Sequence, residues 1–198
     1  MDFQTAVRDT PRRSQSSWPL VQALAAAAGI RAVTGLDARI KWPNDIVVNG
    51  KKIVGILTEM SAQIDYVNHI VVGTGINVHQ TEFPPEIAKT AASLDLELQH
   101  AGKTPQISRA GLLGNVLEQF EHYYEIYLNT QDLSALFEEY NSLLVNCRRR
   151  VRVLDPGGEF EGTALGIDSR GELLVERAQG VEKVSSGEVS VRGIYGYV

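Results

Sequence analysis

Residues 41–59 read KWPNDIVVNGKKIVGILTE. Within this stretch, two runs rich in apolar residues, 46–48 and 51–60, are joined by Asn49-Gly50. This dipeptide favours the type I′ turn of a two-residue β-hairpin, because both of its residues tolerate positive φ. The stretch therefore predicts a hairpin, and the rest of the fold is predicted outward from it.

A third β-rich run follows at 67–78 and contains GTGIN at 73–77. A meander of three strands would place residues 52–55 of the hairpin, Lys52 and Gly55 among them, beside residues 73–75. Glycines there would let the backbone approach a small ligand and offer amide N–H groups to a carbonyl or phosphate oxygen. A structural bulge fits the spacing equally well. The pattern is not a dinucleotide fingerprint, since it lacks the third glycine and no helix follows.

The other predicted elements surround this meander. Apolar residues near helical spacing, with alanines that allow close packing, predict a helix over 18–34 that Gly35 ends. The remaining predictions are strands over 2–7 and 38–42, loop over 8–17 and most of 79–106, a short turn of helix at 86–92, and helices over 109–128 and 133–145 that Ser108 and Asp132 cap.

After Cys147 the pattern changes to short alternating runs separated by turn signals. The turns are DPGG at 155–158, DSRG at 168–171, AQG at 178–180 and SSGE at 185–188. Five strands in about 50 residues are typical of a small SH3-like β-barrel. We therefore predict two domains, residues 1–146 and residues 147–198.

Composition excludes several classes of protein. The net charge of −5 over 198 residues gives no basic field for nucleic acid or an anionic membrane. The longest apolar run, residues 24–30, is far shorter than the roughly 20 residues that span a bilayer. Cys147 is the only cysteine and the histidines lack metal-ligand spacing, so neither a disulfide nor a protein-built metal site is predicted. With no secretory-type N-terminus, the prediction is a cytoplasmic protein.

The polar residues of the opening stretch admit two interpretations. A lysine such as Lys52, on a sheet that carries glycines, can neutralise a carboxylate and a phosphate that react with each other. The alternative is a solvent-facing hairpin lysine. In WPND at 42–45, Asp45 can orient Lys52 or a metal, while Asn44 and Lys41 address a nucleotide. The alternative there is an Asx turn that enters a strand.

Taken together, the motifs resemble one enzyme family. KWPND at 41–45, KK-x-x-GIL-x-E at 51–59 and G-x-GIN at 73–77 are similar to the catalytic core of biotin protein ligases. The later stretch G-x-A-x-GID-x-x-G-x-L-x-V at 162–175, with SGEVSVR at 186–192, resembles their small C-terminal domain. The resemblance implies an α+β fold, with a mixed sheet and flanking helices related to class II tRNA synthetases, followed by the SH3-like barrel.

The resemblance also implies a two-step reaction. The carboxylate of biotin attacks the α-phosphate of ATP, and a lysine of a biotin carboxyl carrier domain, as in acetyl-CoA carboxylase, then attacks the biotinyl-5′-AMP. Mg²⁺ accompanies the nucleotide, and Lys52 is the implied catalytic residue. The implied biotin-binding residues are Lys52, Gly55, Ile56, Leu57, Gly73 and Gly75, and the implied ATP-binding residues are Lys41, Asn44, Asp45, Asn77, Glu188 and Arg192.

One family motif is not found in this sequence. Biotin protein ligases carry an Arg-Gly-rich loop of the type GRGRxGR that closes over biotin. The chain is expected to begin after that loop, since RDTPRRS at 8–14 lacks its glycines. Impaired activity is the expected consequence, because an open pocket leaks reactive adenylate. The alternatives are a non-catalytic module of this fold that associates as a homodimer through a sheet edge, and a ligase for lipoate or another carboxylic acid.

Overall fold

The computed structural model describes residues 1–8, 17–62, 67–187, 189–194 and 197–198. Within these residues the chain forms two five-stranded sheets and four helices. The α+β class implied by the resemblance is therefore confirmed. The loop predicted over 8–17 falls almost entirely outside the described residues.

The first sheet contains the hairpin and its neighbours. Its strands are β1 (Asp2–Arg8), β2 (Arg39–Lys41), β3 (Asp45–Val48), β4 (Lys51–Ala62) and β5 (Val67–Ile76). They lie in the order β1-β5-β4-β3-β2, and each pair is antiparallel. The mixed sheet implied by the resemblance thus needs a correction: among the described residues, parallel pairing is confined to the isolated bridges Lys52–Ala91 and Ile40–Leu144. The short connections from β2 to β5 explain this, because only antiparallel strands can be joined by tight turns.

The hairpin predicted from the Asn-Gly dipeptide is present. Asn49 has a φ of 50° and Gly50 a φ of 76°, the positive values that a type I′ turn requires. β4 then returns beside β5, with Gly55 opposite Gly75. The predicted meander is confirmed, and β1 extends it on the far side of β5.

The helices cover one face of this sheet and pack against one another. α1 lies on the sheet, and α3 packs against α1. At that contact a Cβ atom on Gly29 would lie 2.8 Å from Cγ2 of Val116, so only glycine allows the helices to approach this closely. No helix in the described ranges is long and apolar enough to cross a membrane. The helices are α1 (Trp18–Thr34), α2 (Leu94–His100), α3 (Arg109–Thr130) and α4 (Phe137–Leu143).

The start of α2 lies in a region where the sequence predicts loop. Oγ of Ser93 accepts a hydrogen bond from the amide of Leu96, which caps this short helix. The turn of helix predicted at 86–92 is instead a series of turns that lead to Ser93. Serine capping was therefore a usable signal that the prediction missed.

The helix predicted over 133–145 is shorter than expected. Oδ1 of Asp132 accepts from the amide of Ser134, but the helix itself begins only at Phe137. The amide of Leu133 donates to the carbonyl of Ser169, 2.8 Å away. This bond joins the segment to a turn of the C-terminal sheet, and residues 134–136 form a turn ahead of α4.

The second sheet is the predicted small β domain. All five predicted strands are present, and each pair of neighbouring strands is antiparallel. The strands are β6 (Arg150–Leu154), β7 (Phe160–Ile167), β8 (Leu173–Arg177), β9 (Gly180–Val184) and β10 (Ser190–Gly193), in the sheet order β10-β6-β7-β8-β9.

Hydrogen bonds connect the two sheets. Nε1 of the buried Trp42 donates to the carbonyl of Gly171, 3.1 Å away. The side chain of Asn141 in α4 accepts from the amide of Ile167 at 2.7 Å and donates to its carbonyl at 3.3 Å. The turn after β7 is thereby held against the first sheet and α4. The domain boundary at residues 146–147 stays a prediction.

Candidate active site

The outer face of β4 and β5 carries few side chains where the two strands pair. Gly55 lies opposite Gly75, and Leu57 lies opposite Gly73. Leu57 is 66% exposed, whereas Ile56 is buried in the core beneath the sheet. Because side chains alternate along a strand, the glycines and Leu57 share the open face, where a ligand could meet the backbone.

Ile56 is therefore a correction to the predicted biotin pocket. It belongs to the same GIL motif as its neighbours, but its side chain points into the core. Its backbone has a different role, since its amide donates to the carbonyl of Asn44 and its carbonyl accepts from Nδ2 of Asn44, each at 2.9 Å. The amide side chain of Asn44, expected toward the nucleotide, thus binds main chain of β4.

Two cavities of about 380 Å³ each share Gly55 and Gly75 as their floor. We call them the Phe3 cavity and the Lys52 cavity. The Phe3 cavity is also lined by Asp2, Phe3, Gln4, Leu57, Gly73 and Thr74, and the Lys52 cavity by Lys52, Val54, Asn77, Ile87, Thr90, Ala91 and Tyr197. The predicted biotin-binding glycines thus lie between an apolar compartment and a cationic one.

A β-bulge turns Lys52 toward this floor. Lys52 and Val54 pair with consecutive residues of β3, so Ile53 is an extra residue in β4. In a regular strand Lys52 and Gly55, three residues apart, would face opposite sides of the sheet. The extra residue reverses this, and a Cβ atom on Gly55 would lie 3.1 Å from Nζ of Lys52. Glycine at position 55 thus leaves room for the ammonium group above the floor.

The Asp45 carboxylate lies close to the ammonium groups of Lys52 and Lys41. Nζ of Lys52 lies 2.5 Å from its Oδ1, and Nζ of Lys41 lies 3.9 Å from its Oδ2. The hydroxyl of Tyr197 donates to Oδ2. Oδ1 has no directed hydrogen bond, so charge attraction holds its contact with Lys52. The Asp45 side chain is only 9% exposed and that of Lys52 is 40% exposed, so the ammonium alone reaches solvent and ligand.

Lys41 is a buried cation behind this pair. Its side chain is 7% exposed, and its Nζ lies 4.4 Å from the centre of the Tyr197 ring. Burial lowers the pKa of Lys41; Asp45 opposes this, while the charges of Lys52 and Arg192 lower it further. Burial, and then the hydrogen bond to Asp45, raise the pKa of Tyr197. Lys41 and Lys52 lie beside the Asp45 carboxylate and the charge of Arg192 acts on Lys41, so these cations outnumber that carboxylate, which suits an anionic ligand.

The other predicted nucleotide residues divide into three groups. Asn77 lines the Lys52 cavity and holds its rim, since its Nδ2 donates to the carbonyl of Ala92 at 3.1 Å. Arg192 lies exposed in β10, close enough for its charge to act on Lys41. Glu188 lies outside the described residues.

The structure adds site residues that the sequence reasoning missed. Residues 87–91 form a wall of the Lys52 cavity, because the amide of Lys52 donates to the carbonyl of Thr90 and its carbonyl accepts from Ala92. Phe3 becomes part of the cavity lining because β1 pairs with β5. The alternation of residues 2–7 was an available signal for this strand. Nothing local predicts Tyr197, which belongs to a tail without periodicity.

A metal site built by the protein alone is not found in the described ranges, where no three His, Cys, Asp or Glu side chains converge. Two carboxylates of the described residues lie near the Lys52 cavity. Asp45 has its Oδ2 bound by Tyr197 and its Oδ1 facing Lys52, and Oδ1 of Asp2 would lie 2.9 Å from a Cβ atom on Gly75. So few protein oxygens suit an ion such as Mg²⁺ that is held mainly by the phosphates of a nucleotide.

Comparison with known proteins places this site in a family. The Biotin/lipoate A/B protein ligase family matches residues 5–77, and the Biotin protein ligase C terminal domain matches residues 149–192. The first match contains the glycine floor, Lys52 and Asp45, and the second covers most of the C-terminal sheet. The matches span more than half of the chain, which belongs to the biotin protein ligase family.

Individual relatives agree with this assignment. The bifunctional ligase/repressor BirA of Bacillus subtilis is 40% identical over 187 residues, which are 92% of this chain and 55% of the relative. The biotin–acetyl-CoA-carboxylase ligase of Mycobacterium tuberculosis is 31% identical over 84% of this chain and 58% of its own length. The chain spans about half the length of these curated relatives. The solved structure of biotin protein ligase from Aquifex aeolicus in complex with biotin and ATP matches with a TM-score of 0.81 and 26% identity, over 97% of this chain and 78% of that chain.

Proposed function

We propose that this chain activates biotin with ATP, giving biotinyl-5′-AMP, and transfers the biotinyl group to a lysine of a carrier domain. One observation carries the proposal: the Lys52 ammonium stands above the glycine floor between an apolar cavity and a cationic cavity. A carboxylate and a phosphate that must meet are mutually repulsive, and a fixed cation at the meeting point offsets that repulsion.

In the first step the biotin carboxylate oxygen bonds to the α-phosphorus of ATP, and pyrophosphate leaves with the electrons of the broken P–O bond. We place the biotin rings in the Phe3 cavity, against Leu57 and the backbone at Gly73. We place the nucleotide in the Lys52 cavity, against Asn77 and the wall at 87–91. Lys52 then touches both reacting groups, so it is the catalytic residue, while Asp45 holds it.

Mg²⁺ is part of the proposal for the nucleotide. When bound, it neutralises phosphate charge and favours departure of pyrophosphate. The phosphates would supply most of its oxygen ligands, because the buried Asp45 already faces Tyr197 and Lys52 with its two oxygens. Lys41 and Arg192 add positive charge on the same side.

In the second step a lysine amine of the carrier attacks the acyl carbon of biotinyl-AMP, AMP leaves, and the amine nitrogen releases a proton. We propose a biotin carboxyl carrier domain as the partner, because the Mycobacterium tuberculosis relative is named for acetyl-CoA carboxylase. The open face of the glycine floor gives the carrier access to the reacting carbon. Since ATP is a substrate, we place this reaction in the cytoplasm.

Two other interpretations of the sequence make separate predictions. A lipoate ligase is compatible with the breadth of the Biotin/lipoate A/B protein ligase family, whereas the Mycobacterium tuberculosis relative and the Aquifex aeolicus structure are named as biotin ligases. In the first sheet a homodimer through a sheet edge would use β1, because the β2 edge is covered where the carbonyl of Ile40 accepts from the amide of Val145. Sedimentation of the chain with and without residues 1–8 tests that edge.

The test of the function is direct biotinylation. The chain is incubated with MgATP, biotin and a biotin carboxyl carrier domain, and the mass of the carrier is measured. A second version carries an Arg-Gly-rich loop ahead of Met1, because that loop is expected to retain the adenylate. We expect slow biotinylation by the chain and faster biotinylation by the second version.

A carrier whose acceptor lysine is replaced by alanine is the control for chemical acylation by leaked adenylate. Absence of biotinylation with both versions would contradict the proposal. Transfer of lipoate in preference to biotin would replace it with the lipoate ligase.

A further inference from the structure

The last residues of the chain return to the active site. Tyr197 follows β10 of the second sheet, yet its ring lines the Lys52 cavity in the first sheet. Val198 lies against the hairpin turn, where a Cβ atom on Gly50 would be 3.1 Å from its Cγ2. A Cβ atom on Gly193 would overlap the carbonyl oxygen of Val198. Two glycines thus leave the space in which the tail is seated.

Tyr197 contacts two groups of opposite charge there, the Asp45 carboxylate and the Lys41 ammonium. Its hydroxyl donates to Oδ2 of Asp45, and its ring covers Nζ of Lys41 at 4.4 Å. The other carboxylate oxygen of Asp45 faces Lys52. Each oxygen of Asp45 therefore has one fixed neighbour, and the buried Lys41 stays 3.9 Å away.

Loss of the hydroxyl would free this arrangement. With Oδ2 unbound, the carboxylate could turn toward Lys41, whose side chain is more deeply buried than that of Lys52 and attracts it in a medium of lower dielectric constant. Lys52 would then lose the neighbour that keeps its ammonium above Gly55. The hydroxyl of Tyr197 thus determines whether the Asp45 carboxylate pairs with Lys52 or with Lys41.

We propose that Tyr197 is a positioning residue that holds the Asp45 carboxylate on Lys52, so that the C-terminal tail completes the active site. This inference rests on the proposed function for its consequence in catalysis. The two structural contacts are independent of any reaction: the Tyr197 hydroxyl binds Asp45, and the Tyr197 ring covers Lys41.

The structural content is tested by lysine acylation. The full chain is treated with a limiting amine-reactive ester, and labelling at Lys41 and Lys52 is followed by peptide mass spectrometry. In Tyr197→Phe we expect Lys52 to label roughly threefold faster or more while Lys41 stays protected under the ring. In Tyr197→Ala we expect both lysines to label faster. Unchanged labelling of both lysines in Tyr197→Ala would overturn the inference.

A second pair of variants moves the tail without touching the tyrosine. Gly193→Ala should displace Val198 and reproduce the labelling of Tyr197→Ala. Gly114→Ala is the matched control, because a Cβ atom there meets nothing within 4 Å. Tyr124→Phe controls for loss of a hydroxyl elsewhere, on α3. If Gly193→Ala labelled at the wild-type rates while Tyr197→Ala labelled faster, the inference that Gly193 leaves the space for the tail would be contradicted.

The catalytic consequence is tested by formation of biotinyl-AMP in the version that carries the Arg-Gly-rich loop. In Tyr197→Phe we expect kcat to fall roughly tenfold with the KM for biotin changed less than twofold, because orientation rather than binding is lost. A wild-type kcat in this variant would overturn the role in catalysis. If the wild type itself makes no biotinyl-AMP, the proposed function fails, while the labelling still decides whether Tyr197 holds Asp45.

Discussion

Lys52 and Asp45 form an ion pair of 2.5 Å across the first hairpin because Ile53 is an extra residue in β4. Without the bulge, Lys52 and Gly55 would lie on opposite faces of the sheet. The Lys52 ammonium thus owes its position above the glycine floor to one irregularity in an otherwise regular meander.

Asp45→Asn should destabilise the fold as well as impair the site. It removes the charge that faces the buried Lys41, and an uncompensated buried charge costs about 2–3 kcal/mol or more. Urea unfolding of both proteins measures this loss. Asp37→Asn is the control, since Asp37 also pairs with two cations but its side chain is 58% exposed. A change below about 1 kcal/mol is expected there, and an equal loss in both variants would contradict the burial argument.

Gly55→Ala should weaken ligand binding without unfolding the protein. The added methyl group would lie 3.1 Å from Cε and Nζ of Lys52, the flexible end of an exposed side chain, which can move away. The methyl group also covers backbone at the floor shared by both cavities. We expect roughly tenfold weaker biotin binding by calorimetry, with the melting temperature within a few degrees of the wild type. Unchanged affinity would show that the ligand does not meet this floor.

Gly29→Ala should destabilise the protein although alanine is the better helix former. The new Cβ atom would lie 2.8 Å from Cγ2 of Val116 and 3.0 Å from its backbone, so α1 and α3 must move apart. Overpacking of this kind costs about 1–3 kcal/mol. Gly114→Ala on α3, where nothing is near, should instead stabilise by about 0.5–1 kcal/mol. Chemical denaturation of the two variants should give opposite signs, and the same sign would contradict close helix packing.

Stability should fall as the pH rises above 10. The pKa of Tyr197 is raised in the folded protein, whereas an unfolded tyrosine titrates near its ordinary value of 10.0. Above that pH the folded state binds more protons than the unfolded state, so the contribution of Tyr197 is present below pH 10 and is lost at higher pH. The free energy of unfolding of wild type minus that of Tyr197→Phe should shrink by at most about 1 kcal/mol between pH 10 and pH 11. A difference that stays constant over this range would contradict the raised pKa.

The sequence predicted the frame of the site well because its signals are local. The Asn49-Gly50 turn, the cap at Gly35 and the strand alternation each depend on a few adjacent residues. The predicted meander placed Lys52 near the glycines and the family motif implied its role, whereas alternation alone would have placed Lys52 and Gly55 on opposite faces. The same alternation excludes Ile56 from the pocket, a correction that the contiguous GIL motif concealed.

Contacts between distant segments could not be predicted in this way. Tyr197 reaches Asp45 across 152 positions of sequence, and Trp42 binds Gly171 across 129. Such contacts depend on how the two sheets pack, and the sequence of the tail has no periodicity from which that packing could be predicted.

Formation of biotinyl-AMP by Lys52→Ala, in the version that carries the Arg-Gly-rich loop, is the measurement on which the account of the site depends. Lys52→Ala removes the cation above the glycine floor, and the 40% exposure of its side chain means that the fold should survive. The account predicts a loss of about a hundredfold or more in the rate of adenylate formation, with a melting temperature close to that of the wild type. A folded Lys52→Ala protein that forms biotinyl-AMP at the wild-type rate would contradict it.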